Sequence, residues 1–163
     1  GAWGLDETGG DEVQFLMSAN VGEALKPIQK VASGGELARI MLALKNVLAE
    51  DDGIDSLVFD EVDTGVSGRA AQKVAEKLAG VARTKQVLCV THLPQLAAMA
   101  DVHFSVEKGV TDGRTFTHVR RLDRAQRRQE LARLTGGAHI TPTMLEGAEE
   151  LLSAAEEFKR TLE

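Results

Sequence analysis

Cysteine and large aromatic residues are scarce in this chain of 163 residues, which has one cysteine, one tryptophan and no tyrosine. A single cysteine excludes an internal disulfide framework and any zinc site built from several cysteines. The shortage of aromatics argues against a base-stacking platform for single-stranded nucleic acid. No apolar run reaches the ~20 residues of a membrane-spanning helix, and no basic start precedes an apolar stretch as in a secretory signal. We therefore expect no membrane partner and a cytoplasmic location.

An excess of positive charge is also lacking, since 19 lysines and arginines face 25 aspartates and glutamates for a net charge of −6. A domain that grips duplex DNA along its surface is normally basic, so direct binding by this chain is disfavoured. Arginines crowd residues 120–133 and glutamates dominate residues 146–157. We interpret these runs as two solvated helix faces, in preference to a nucleic-acid patch.

What the sequence does contain is enough apolar material, 43% of residues, to bury the core of about one domain. Alternating strand and helix patterns predict an α/β fold with parallel central strands and flanking helices. Strands are predicted at residues 12–19, 56–59, 86–91, 102–107 and 115–121. Helices are predicted from residue 33 to before residue 51, after Gly68, and at residues 94–100, 124–134 and from about 143 onward. Glycine-rich residues 1–10 are interpreted as a flexible lead-in or an expression remnant, and residues 11–163 as the domain.

The first candidate site is the start of the helix at Ser33-Gly34-Gly35-Glu36. Serine followed three residues later by glutamate predicts a capping box. A glycine pair at a helix start also leaves backbone N–H groups bare, where the helix dipole favours a phosphate. From these residues alone, a plain helix cap remains equally compatible with the pattern.

Two further candidates follow the predicted parallel strands. Asp60 and Glu61 come directly after an apolar strand, at the sheet edge where α/β proteins bind ligands. Asp60 is placed to hold Mg²⁺, directly or through water, and Glu61 to deprotonate an attacking water. His92 follows the second strand, beside Thr91. Solvated strand ends and a surface histidine are the alternative interpretations, but the order of the three motifs predicts one shared sheet edge.

With these residues in view, the chain resembles the ABC-type ATPases. Residues 32–36 are similar to their signature motif, residues 57–61 to their Walker B motif, residues 62–67 to their D-loop, and His92 to their switch histidine. Residues 30–45, 59–69 and 91–97 are very similar to the RecN family, the bacterial SMC-like ATPases of DNA double-strand-break repair. The resemblance implies the C-terminal lobe of an ABC/SMC-type P-loop NTPase head, with ATP and Mg²⁺ as cofactors.

The resemblance also implies roles for individual residues. It makes Glu61 and His92 catalytic and Asp60 the Mg²⁺ residue. The residues implied to reach ATP on an opposing head are Ser33, Gly34, Gly35 and Glu36. The D-loop residues implied to contact nucleotide are Asp63, Thr64 and Gly65. Two departures, Ala32 where the superfamily usually has leucine and Ser67 where it often has aspartate, both fit the RecN-like subgroup.

A larger departure is that no Gly-x-x-x-x-Gly-Lys-[Ser/Thr] phosphate loop occurs in the 163 residues, nor do the heptads of a long coiled coil. The P-loop half is thus absent, and we expect this lobe alone to be inactive. The partners implied are an N-terminal P-loop lobe of the same protein, a second head in a homodimer, and DNA through the full-length, nucleoid-associated assembly. The alternatives are a non-hydrolysing ABC-like interaction module and an ABC ATPase of another class. A transporter-type domain is disfavoured because no proline follows the Asp60-Glu61 pair.

Overall fold

Short strand pairs and longer helices alternate along the chain. The computed structural model describes residues 7, 9–11, 13–18, 21–48, 53–111 and 114–162. The strands are β1 (Leu16–Met17), β2 (Lys26–Pro27), β3 (Ser56–Phe59), β4 (Gln86–Cys89), β5 (Phe104–Thr111) and β6 (Arg114–Arg121). The helices are α1 (Ile28–Val31), α2 (Gly34–Leu48), α3 (Gly68–Val81), α4 (Pro94–Met99), α5 (Arg124–Gly136) and α6 (Pro142–Arg160).

The strand pair that positions the candidate site is β3 with β4. These strands are parallel and in register from Ser56 opposite Gln86 to Phe59 opposite Cys89. Helix α3 forms the connection between them, as expected for a βαβ unit. Because the strands are parallel, the residues that follow Phe59 and Cys89 emerge at the same edge. The predicted α/β fold with parallel central strands is therefore confirmed.

The hydrophobic core lies on one side of the β3–β4 pair. Leu57 and Phe59 alternate with exposed neighbours along β3 and are 9% and 6% exposed. Helix α3 buries an apolar stripe at helical spacing against them, which includes Val74 and Leu78. The core continues through α4 into the α5–α6 pair, where Leu131 is fully buried and Leu152 almost so.

The prediction of a strand over residues 12–19 is largely wrong. Only Leu16–Met17 is a strand, paired antiparallel with Lys26–Pro27, and Val13 and Phe15 are exposed instead of half-buried. A strand needs a partner that donates along its length, and the partner here is two residues long and includes a proline, which has no N–H. Residues 12 and 19 themselves lie outside the described residues.

Two other boundaries differ from the sequence predictions. Strands β5 and β6 form an antiparallel hairpin from Phe104 opposite Arg121 to Thr111 opposite Arg114, so β5 starts and ends later than predicted. The segment between these two predicted strands includes residues 112 and 113, which lie outside the described residues. Residues 1–6 and 8 of the expected lead-in also lie outside them. In the described part of the chain, no helix combines the length and apolar character needed to cross a membrane.

The opposite side of the β3–β4 pair is apolar and exposed. Val58, Leu88 and Val90 share this side and are 72%, 51% and 64% exposed; we call these three residues the apolar sheet face. A groove of about 400 Å³ runs beside it between α2 and β3, with Leu37 and Met41 in its lining. Among the described residues nothing covers this face, so it is a candidate contact surface.

Candidate functional site

Helix α2 begins with the predicted capping box. The Glu36 N–H donates to Ser33 Oγ at 3.3 Å, and the Ser33 N–H donates to Glu36 Oε2 at 2.8 Å. The bond from the Ser33 N–H, with a smaller contribution from the Ser33 hydroxyl, stabilises the charged carboxylate and lowers the pKa of Glu36. Among the described residues, the N–H groups of Gly34 and Gly35 have no acceptor. Two donors without a partner thus lie at the positive end of a 15-residue helix, where Gly34 is exposed and Gly35 is buried.

The glycine pair also allows close packing against residues 60–67, which we call the acidic loop. A Cβ atom on Gly34 would lie 2.8 Å from Glu61 Oε2. A Cβ atom on Gly35 would lie 2.8 Å from the Thr64 carbonyl oxygen and 2.9 Å from Thr64 Cβ. Real Cβ contacts this short essentially never occur, so residue 35 must be glycine if helix and loop are to keep this spacing. Capping alone does not require that.

The acidic loop begins with the two predicted carboxylates. Asp60 and Glu61 are both exposed, and the Glu61 N–H donates to Asp60 Oδ1 at 2.9 Å. Glu61 has a φ of 59°, in the left-handed region that a residue with a side chain rarely adopts. Such backbone strain persists only where the surroundings hold it, and it is frequent at functional sites.

Two residues hold this conformation in place. Val62 is fully buried in the core. The Arg39 guanidinium, one turn into α2, donates to the carbonyl oxygens of Thr64 at 2.7 Å and Val62 at 3.3 Å. The helix that carries the glycine pair is therefore tied directly to the loop that carries the carboxylates. The amphipathic pattern of α2 gives no sign of this function of Arg39.

The third motif joins the site through Asp63. Its carboxylate is 4% exposed, and Oδ2 accepts from Thr91 Oγ1 at 2.5 Å and from the His92 N–H at 3.1 Å. His92 Nδ1 lies 3.1 Å from the same oxygen, while 73% of the His92 side chain is exposed. Thr91 Oγ1 in turn accepts from the Leu93 N–H at 3.1 Å. The end of β4 is thus bonded to the loop that follows β3.

The structure therefore brings the glycine pair, the two carboxylates and His92 together at one edge, as their order in the sequence predicts. Thr64 and Gly65 of the acidic loop are exposed, whereas Asp63 is buried and accepts hydrogen bonds from Thr91 and His92. The catalytic and nucleotide-binding roles of these residues stay predictions.

The carboxylates fit a magnesium ion that is held mainly by phosphates. Asp60 is exposed, and only its Oδ1 atom accepts a bond from within the described residues. The same residues contain no group of three or more histidine, cysteine, aspartate or glutamate side chains able to enclose a metal. Mg²⁺ binds one or two carboxylates, keeps several waters and takes phosphate oxygens, so this donor set suits Mg²⁺ on a nucleotide better than a protein-enclosed ion.

Comparison with solved structures finds a chain of similar fold. The chain aligns with a structure from work on "ATP-driven dimerization and DNA stimulated activation of SMC ATPases", with a TM-score of 0.50 and 22% identity. The alignment covers 72% of this chain and 70% of the other. No protein-family model matches the sequence.

At the sequence level the chain is RecN-like over nearly its whole length. It is 50% identical over 157 residues to the DNA repair protein RecN of Bacillus subtilis (strain 168), which is 96% of this chain and 27% of that protein. It is 52% identical over 152 residues to the DNA repair protein RecN of Deinococcus radiodurans, which is 93% of this chain and 26% of that protein. The part of the RecN proteins that the chain matches is their C-terminal region. The chain spans about a quarter of the length of these relatives.

Proposed function

We propose that this chain is the C-terminal lobe of an SMC-like ABC ATPase head of RecN type. In the cytoplasm, at the nucleoid, such a head dimerises with ATP and hydrolyses it during DNA double-strand-break repair and recombination. The observation that carries the proposal is the meeting of three motifs at one sheet edge. Gly34 abuts the Glu61 carboxylate and Asp63 bonds to His92, so the glycine pair, the acids and the histidine form one unit.

Each exposed group at this edge has a chemical task in the proposal. Bound Mg-ATP supplies the phosphoryl group and the divalent charge that favours its transfer to water. Asp60 holds the metal through its exposed carboxylate, directly or through water. Glu61 orients the attacking water and takes its proton, and His92 contacts the terminal phosphate. These residues act on nucleotide held by the N-terminal lobe of the same head.

The start of α2 serves the opposing head. The free N–H groups of Gly34 and Gly35 bind phosphate oxygens of the nucleotide on the second head. Ser33 and Glu36 keep the helix end open by capping each other instead of those two groups. Thr64 and Gly65 lie exposed beside them and extend the same contact surface, so ATP joins two heads and its hydrolysis releases them.

In this proposal the N-terminal lobe binds the exposed apolar surface of this chain. The apolar sheet face and the groove beside α2 expose Val58, Leu88 and Val90 together with Leu37 and Met41. The phosphate loop missing from the 163 residues has to come from a polypeptide that docks close to Asp60, at the end of this groove. One partner thus covers the apolar surface and completes the nucleotide site.

DNA is contacted by the full-length assembly in this proposal, not by a surface of this lobe. Arg124 pairs with Glu149 and Glu156 of α6, and Arg133 pairs with Glu130. Two arginines of the segment are thus neutralised by acidic partners within the chain, whose net charge is −6. Because of this charge balance, we expect the lobe itself to have only a weak, salt-dependent attraction to the phosphate backbone of DNA.

The test uses the full-length protein with two variants. Glu61→Gln should bind ATP normally and stay dimeric, because the water is no longer activated. Ser33→Arg should bind ATP on each head yet remain monomeric, because the long cation blocks the glycine-pair surface. Nucleotide binding by equilibrium dialysis and assembly by analytical sedimentation separate the two effects.

Glu157→Gln and Ser153→Arg, both on the exposed side of α6, are the matched controls and should behave like the unaltered protein. Hydrolysis at the normal rate by Glu61→Gln, or unchanged dimerisation of Ser33→Arg, contradicts the proposed roles. ATP binding without any turnover by the unaltered protein would instead favour a non-hydrolysing interaction module.

A further inference from the structure

The Asp63 carboxylate is buried at the centre of the candidate site. It is 4% exposed, and Ser105 is the other buried polar residue in the described part of the chain. A buried carboxylate is costly unless its oxygen atoms are paired. Here the pairing falls on Oδ2, which accepts from the Thr91 hydroxyl and the His92 N–H. These two bonds account for the burial of Asp63 and for the anchoring of the acidic loop to β4.

The imidazole of His92 adds a contact that anchoring does not need. His92 Nδ1 lies 3.1 Å from Asp63 Oδ2, and no other described group pairs with this ring. If Nδ1 carried no proton, its lone pair would face a carboxylate oxygen and the two atoms would repel each other. If Nδ1 carries a proton, the N–H group is attracted to the Asp63 carboxylate. The contact therefore favours a proton on Nδ1 and leaves Nε2 on the exposed side of the ring.

We propose that Asp63 is a positioning residue for His92: its buried carboxylate fixes the ring orientation and keeps a proton on Nδ1, so that Nε2 is the atom presented to the ligand. The ligand, a terminal phosphate, rests on the proposed function; the orientation of the ring does not. With Nδ1 directed at the carboxylate, Nε2 is the ring atom that faces a phosphate oxygen.

This role differs from direct nucleotide contact by Asp63. The carboxylate is shielded from solvent, while the exposed members of the acidic loop are its neighbours Asp60, Glu61, Thr64 and Gly65. The acidic loop is also tied to the glycine-pair helix through Arg39. A series of three links therefore connects that helix end to the His92 ring, namely the bonds from Arg39 to the loop, the loop backbone to Asp63, and the 3.1 Å contact of Asp63 with the ring.

The first test is ¹⁵N NMR of the histidine rings in this chain without nucleotide, at alkaline pH where an ordinary imidazole is neutral. The chain has four histidines, and His92→Gln identifies the signals of His92. We expect the proton on Nδ1 of His92, the opposite of the preference of a free neutral histidine side chain. Asp63→Ala should restore the free preference.

Two variants separate positioning from a merely structural role. Thr91→Val removes a bond to Asp63 but leaves the ring contact, so its His92 signals should match those of the unaltered chain. Asp63→Ala combined with Thr91→Val removes both buried partners, which limits the loss of stability if Asp63→Ala alone fails to fold. A proton on Nε2 in the unaltered chain, or an equal change in Thr91→Val and Asp63→Ala, overturns the inference.

The second test is kinetic and uses the full-length protein. Loss of the carboxylate partner of a metal-bound histidine typically lowers activity by about 10- to 100-fold, and we take the same range for a histidine that contacts phosphate. We expect that loss in kcat for Asp63→Ala, with little change in KM, because the group acts on the ring and not on nucleotide binding. A rise in KM with unchanged kcat would assign Asp63 to nucleotide contact and overturn the inference. Absence of ATPase activity in the unaltered protein would contradict the proposed function while leaving the NMR result to stand on its own.

Discussion

At the scale of single residues, Gly35 carries the tightest contact of the candidate site. A methyl group at this position meets backbone and Cβ atoms of Thr64, whereas at Gly34 it meets the far end of the flexible Glu61 side chain. We expect Gly35→Ala to lower the free energy of unfolding by about 1–3 kcal/mol, in the range of overpacked sites. Gly34→Ala should cost less, because Glu61 can move.

Urea unfolding of the two variants beside the unaltered chain measures this difference. Alanine has a higher helix propensity than glycine, so helix propensity alone would raise the free energy of unfolding in both variants. Gly35→Ala that is as stable as the unaltered chain would contradict the close packing of helix and loop.

Cys89 provides a pH-dependent prediction at the same scale. Burial raises the pKa of its thiol to about 11, with smaller contributions from the negative charges of Asp63 and Asp60. At neutral pH the reactive thiolate is then about one part in ten thousand, against a few per cent for an ordinary cysteine. We expect a disulfide reagent to label the native chain at least ~100-fold more slowly than glutathione.

The labelling rate should rise about tenfold per pH unit and level off only near pH 11. Cys89 is the one cysteine of the chain, so the signal has a single source. Labelling that levels off in the range of ordinary cysteines would show that Cys89 is not shielded as described.

The sequence is informative about these residues where the interactions are local. The capping box joins Ser33 to Glu36, three positions apart, and could be predicted from spacing alone. Arg39 reaches Thr64 over 25 positions, and Asp63 meets Thr91 over 28. Contacts of that range depend on how α2, β3 and β4 pack, and no pattern in a single sequence specifies them.

At the scale of elements, the arginine-rich segment is mainly a structural feature. The Arg127 guanidinium is half-buried and donates to the carbonyl oxygens of Ala97, Ala98 and Ala100, at the end of α4. It thereby satisfies carbonyl groups that have no partner within the helix. Burial of this charge lowers the pKa of Arg127 from its usual value, though not enough to discharge it at neutral pH.

We expect Arg127→Met to lower the free energy of unfolding by about 1.5–3 kcal/mol, since charged donors to buried carbonyls are lost. Arg121→Met, on the exposed strand β6, is the matched control and should change it by less than about 0.5 kcal/mol. Thermal unfolding monitored by circular dichroism distinguishes them. Equal stability of the two variants would contradict the capping role of Arg127.

The elements also show how far sequence patterns reach. Helices α2, α3, α5 and α6 and the parallel strands β3 and β4 were predictable from apolar residues at helical spacing or in short runs. The apolar stripe of α2 is nevertheless mostly exposed, since Gly35 and Leu42 are its buried residues. The strand predicted at residues 12–19 was not realised beyond Leu16–Met17. Alternation of apolar and polar residues predicts a strand with one buried face. Among the described residues, however, Val13 and Phe15 remain exposed.

At the scale of the whole molecule, the exposed apolar sheet face makes the lobe prone to association. We expect the chain alone to bind a hydrophobic dye and to self-associate as its concentration rises. Val58→Thr combined with Leu88→Thr should reduce both effects without a large loss of stability, since both side chains are already more than half exposed.

Light scattering and dye fluorescence measure these effects. Val119→Thr on the hairpin is the control, because this valine is 64% exposed but lies on another strand pair. If the control reduces association as much as the double variant, the apolar sheet face is not the main contact surface.

The measurement that most directly tests the central claim is ATP turnover by this chain alone, by a separately prepared N-terminal lobe of a RecN protein, and by the two mixed in the presence of Mg²⁺. The account predicts negligible turnover by either part and measurable turnover by the mixture, abolished when the chain carries Glu61→Gln. Efficient turnover by this chain without a companion, or by a mixture that contains Glu61→Gln, would contradict it.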